Sequence, residues 1–140
     1  MRKHTKRKVW PLINPLIHAM QGAAITPDTQ LNEVRLRELS AIEAFAKGQA
    51  TEQEYSDLAA MLNLCQTMGG SDDACVEARM ALKDAQARFK TTGRWGMTGP
   101  GLQALRVLYA HHDAQRKEVS RSSYEQAISK TIARVRSLGL

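Results

Sequence analysis

The chain has 140 residues, of which 43% are hydrophobic and 24% charged, and its formal net charge is +6. That length fits one domain, and the balance is that of a globular chain, which excludes a disordered or low-complexity protein. Two cysteines, Cys65 and Cys75, are too few for a disulfide scaffold, and no apolar run approaches the ~18 residues of a membrane span.

Residues 1–13 read as a flexible basic arm, in which Arg2, Lys3, Lys6, Arg7 and Lys8 lead to Trp10 with no acid among them. A signal peptide also places bases before an apolar stretch, but here Pro11, Asn14, Pro15 and His18 break residues 9–20, which reads against export. Residues 14–140 read as a single all-α domain. The expected architecture is a helical bundle of about five helices, with a central antiparallel hairpin and a long C-terminal helix that bends near 120–123. No sustained polar–apolar alternation competes with this reading.

Asn14-Pro15 opens a short helix that Gly22 stops. Thr26-Pro27-Asp28 repeats the start signal, and Leu31, Val34, Leu39, Ile42 and Phe45 then mark one face as far as Gly48. Thr51-Glu52-Gln53-Glu54 has the form of a capping box, followed by a stripe of Tyr55, Leu58, Leu62, Cys65 and Met68 that ends at Gly69-Gly70. The short turn between these two runs makes them a hairpin. Ser71 or Asp72 caps a third run, with Cys75, Ala78, Leu82, Ala85 and Phe89 inward and Gly93 as its stop.

The last periodic segment runs from Pro100 to about Ser137. Unbroken, it would be roughly 55 Å long, against a diameter of about 37 Å for a compact domain of this size. It must protrude, pair with another chain, or break. Ser122-Ser123-Tyr124-Glu125 resembles a second capping box, and the apolar stripe lapses there before resuming at Ile128, Ile132 and Val135. A bend near 120–123 follows.

Charge is unevenly spread. Residues 28–77 hold ten acids against Arg35, Arg37 and Lys47, whereas residues 116–140 hold six bases and two acids. Glu33, Glu38, Glu43, Glu52, Glu54 and Asp57 are therefore candidates for an acidic partner-binding face. The basic candidates for partner or nucleic-acid contact are the arm, Lys130, Arg134 and Arg136, together with Arg94 and Trp95 in the glycine-rich connection 91–101. That connection lacks the preceding strand and the lysine of a phosphate loop. His111 and His112 point about 100° apart on a helix and have no further ligand at metal spacing. Neither cysteine has a histidine nearby in sequence to mark it as a nucleophile. No catalytic residue, metal ligand or cofactor site is expected.

Three stretches carry a resemblance: His4-Thr5-Lys6-Arg7-Lys8, the run Arg35-Leu-Arg-Glu-Leu-Ser-Ala-Ile-Glu-Ala-Phe45, and Thr98-Gly-Pro-Gly-Leu-Gln-Ala-Leu105 on through Tyr109 to Gln115-Arg116. With them the chain resembles small helical proteins encoded by prophages and mobile elements of proteobacteria. Little function is assigned in that group; some members carry regulator labels, and others of similar size and setting inhibit host defence, including anti-CRISPR proteins. The resemblance implies a setting, the cytoplasm of a bacterial host, and supplies no site residues.

The expectation is a non-enzymatic protein that binds and inhibits a bacterial nucleic-acid-handling defence complex, an anti-CRISPR protein in the leading case. Its partners would be subunits of a defence ribonucleoprotein, with nucleic acid reached through the arm and tail and no membrane involved. The alternative is a phage-encoded dimeric DNA-binding transcriptional regulator. Either reading allows a homodimer through Tyr124, Ile128, Ile132 and Val135.

Overall fold

A computed structural model describes residues 28–70 and 72–138, which form five helices. They are α1 (Asp28–Ala46), α2 (Glu52–Thr67), α3 (Asp72–Thr92), α4 (Gly99–Glu118) and α5 (Arg121–Ser137). The expected arm and the short helix after Asn14 lie outside the described residues.

Local chemistry sets the boundaries. At Thr51 the capping box forms as read: the Thr51 hydroxyl accepts from the Gln53 amide at 3.2 Å, and the Glu54 carboxylate accepts from the Thr51 amide at 2.6 Å. Helices α1 and α2 both end in Schellman motifs. The amides of Gly48 and Gln49 reach back to the carbonyls of Phe45 and Ala44, and those of Gly69 and Gly70 reach Gln66 and Cys65. Gly48 and Gly69 have φ of +70° and +83°, a region that costs any residue with a Cβ. Gly70 is glycine for want of room, since a Cβ there would stand 2.8 Å from the Cys65 carbonyl oxygen.

The long C-terminal segment breaks at 119–120. Val119 and Ser120 are both extended, and the Ser120 hydroxyl caps α5 by accepting from the Ser123 amide at 3.1 Å. The cap lies two residues before the expected Ser122, and the resulting helices of about 30 and 26 Å fit the size of the domain.

Helix α2 is the hub and packs on all four of its neighbours, while α4 lies against α1 and α3. The core joins Ala41, Ile42 and Phe45 of α1 to Leu58, Met61, Leu62 and Cys65 of α2, Cys75, Ala78 and Leu82 of α3, and Leu105 and Leu108 of α4. Two positions correct the reading of α1. Leu39 is 47% exposed, and Glu38 takes the inward place at 5%. The phase explains it, because Leu31, Glu38, Ala41, Ile42 and Phe45 lie on one arc of the helix, and Leu39 falls outside it. Phe89, expected inside, stays 37% exposed. No described helix is long and apolar enough to cross a membrane.

Candidate interaction surfaces

The polar residues of the interior are engaged with one another. Arg116 is fully buried; its terminal nitrogens donate to both Glu38 oxygens at 3.1 and 2.8 Å, and its Nε donates to Asp113 at 3.0 Å. Asp113 also accepts from Arg35 at 2.8 Å, so two carboxylates and two guanidinium groups tie α1 to α4. Burial pushes the Glu38 carboxyl above its ordinary value, and Arg116 offsets this only in part. Burial also opposes ionisation of Asp113, yet the hydrogen bonds from Arg35 and Arg116 hold its carboxyl below the usual range. The Tyr109 ring lies 5.8 Å from the Arg116 guanidinium carbon, within cation–π range.

His112 is fully buried one turn before Arg116. Gln115 donates its Nε2 to the Cys65 carbonyl, which presents its Oε1 to His112 Nδ1 at 2.8 Å. Nδ1 therefore carries the proton, and Nε2 is a buried acceptor with no partner among the described residues. Desolvation pushes this imidazole down to about 4, so it is neutral at pH 7. Cys65 and Cys75 are both buried free thiols, and burial pushes the Cys65 thiol up to about 12. Among the described residues no group of three His, Cys, Asp or Glu side chains is placed to hold a metal ion.

The expected acidic face divides. Glu33, Glu43 and Glu52 are exposed, with Glu43 3.8 Å from Lys47. Glu54 serves the capping box, and the hydroxyl and amide of Thr51 hold its carboxyl below the usual value. Asp57 is half-buried and accepts from Gln53 at 2.9 Å. Glu38 is a correction: it points inward to Arg116 and offers nothing to a partner.

Helix α5 packs on α2 and presents Lys130, Arg134 and Arg136 to solvent, with Arg134 donating to the Asn63 carbonyl at 3.1 Å. Of the expected dimer stripe, Tyr124 is buried within the chain, a second correction. Ile128 and Val135 are half-buried and Ile132 is 47% exposed. Between α1, α2 and α5 lies a groove of about 310 Å³ lined by Val34, Met61, Leu64, Tyr124, Ile128 and Ile132. The basic residues of the arm, Arg2, Lys3, Lys6, Arg7 and Lys8, lie outside the described residues.

Two exposed apolar pairs escaped sequence reading. Leu36 is 67% exposed beside Leu39 on the outer face of α1, and Met80 is 64% exposed one turn from Val76 on α3. Both pairs fall out of phase with the core stripe, which is the signal that could have found them.

In the connection 93–98, Arg94 is exposed and Trp95 half-buried. Trp95 stacks on Tyr55 at 4.7 Å and on Phe89 at 4.4 Å between ring centroids, which fastens the connection to α2 and α3. No family model matches the chain, and no curated protein or solved structure does either.

Proposed function

We propose that the chain is a non-enzymatic inhibitor that acts by docking on a bacterial nucleic-acid-handling defence complex, as anti-CRISPR proteins do. The observation that carries this reading is the outer face of α1. There Leu36 and Leu39 stand exposed one turn apart, with the exposed Glu33 and Glu43 to either side along the helix. Adjacent exposed apolar side chains flanked by acids support a protein-docking reading, and acids suit the basic RNA-binding grooves of such complexes. Four of the titratable groups with displaced protonation support a structural role, because Glu38, Asp113, Arg116 and His112 are bonded to one another or to Gln115 inside the bundle.

The test is inhibition of a defence complex in cells by Leu36→Glu and by Glu33→Lys combined with Glu43→Lys. These are exposed positions, so the fold should persist while inhibition falls at least about tenfold, the effect of losing one interfacial anchor. Inhibition unchanged in both variants would refute the α1 surface.

A further inference from the structure

At one end of the bundle, the α1–α2 turn faces the α3–α4 connection across an open groove of about 910 Å³. Its lining includes Phe89, Trp95, Arg88, Arg94, Gly48 and Gly96. Three features belong together. The Phe89 ring lies within 9° of parallel to Trp95, lines the groove and remains 37% exposed, which puts a partly uncovered aromatic side chain on its wall. Arg88 and Arg94 put two guanidinium groups on the lining against one acid, Glu52; Arg88 also bonds Asp84 through its Nε at 3.2 Å.

The third feature is Gly96. Its φ is not positive, and nothing lies within 4 Å of the place a Cβ would take. Among the described residues, neither a positive φ nor packing calls for glycine there. Gly48 and Gly93, on the same groove, do need their positive φ. Glycine at 96 keeps one wall of the groove open for close approach to the backbone.

We propose that this groove binds single-stranded nucleic acid, stacking a base on Phe89 and holding flanking phosphates with Arg88 and Arg94. Stacking on an aromatic side chain together with arginine contacts to the backbone is the sequence-tolerant way single strands are held, and the groove has room for more than one nucleotide. The site stands apart from the α1 surface and does not depend on the identity of the protein partner.

The chain has two tryptophans, so a full-length Trp10→Phe variant leaves Trp95 as the reporter. Titration with a short oligothymidylate should quench its fluorescence saturably. Affinity should fall with salt at a log–log slope near −1.4, about −0.7 for each of two phosphates. In the same background Gly96→Val fills the open wall and Arg94→Glu reverses one charge. Each should weaken quenching at least about tenfold, a share typical of one stacked base or its equivalent, with an unchanged helical circular dichroism spectrum. No quenching, quenching untouched by both variants, or equal quenching by polyglutamate would overturn the proposal. Polyglutamate would instead mark a site for acidic peptide.

Discussion

Glu38→Ala should be the most damaging single change of charge in this chain. It deletes both acceptors of the two Arg116–Glu38 bonds and leaves a fully buried guanidinium with Asp113 as its one carboxylate partner among the described residues. Breaking one side of a buried ion pair costs about 3–5 kcal/mol, since the remaining charge keeps its desolvation penalty. A domain of this size has ~5–15 kcal/mol in all, so the loss should lower Tm by more than about 10 °C. The double variant Glu38→Leu with Arg116→Met should recover most of that stability, because it removes the two desolvation penalties along with the attraction. Thermal and urea melts of the wild type, Glu38→Leu, Arg116→Met and the double variant form a complete cycle, and the coupling should exceed about 2 kcal/mol. A Glu38→Ala loss under about 1 kcal/mol, or coupling near zero, would refute the buried pair as the tie between α1 and α4.

Four further changes test separate parts of the structure. His112 titrates near 6.5 when unfolded and at about 4 when folded, so its contribution is fully present above pH 6.5 and is lost as pH falls from 6.5 through 4. That shift is worth about 3 kcal/mol, and urea melts of His112→Leu should lack this part of the acid slope. Thr51→Ala removes a cap whose hydroxyl and amide are both bonded, which should cost ~1 kcal/mol by chemical denaturation. Tyr124→Glu should destabilise the fold itself because the ring is buried, whereas Ile132→Asp, at an exposed site, should leave stability within ~0.5 kcal/mol. Equal melts for these two variants would contradict the placement of α5.

Elements whose limits rest on local chemistry were legible in the sequence. The Thr51–Glu54 box and the glycines 48, 69 and 93 act within one turn of chain, so their residue types alone announce them. The break before α5 followed from length: a helix of that span does not fit the domain, and the structure opens it at Val119–Ser120. The buried charges were harder. Glu38 and Arg116 lie 78 residues apart, and each looks solvated until the other is known. Helical phase did place both inward, Glu38 with Leu31 and Ile42, and Arg116 with Leu105, Leu108 and His112. Charge type outweighed phase in the reading of Glu38, which put it on the surface. Leu39 erred in the opposite sense, since its apolar character outweighed a phase that points outward. The groove beside Phe89 needs the α1–α2 turn brought against residues 93–96, a closure that no local pattern encodes.

The proposed docking of this chain on a protein complex of bacterial defence is tested most directly by capture. A tagged full-length chain should be used to capture partners from lysate of a defence-active bacterium, with and without nuclease, and the captured subunits identified by mass spectrometry. Subunits of a CRISPR or other nucleic-acid-cutting defence complex should be retained after nuclease treatment and lost with Leu36→Glu. Recovery of nucleic acid alone, abolished by nuclease, would contradict it and favour a DNA-binding regulator.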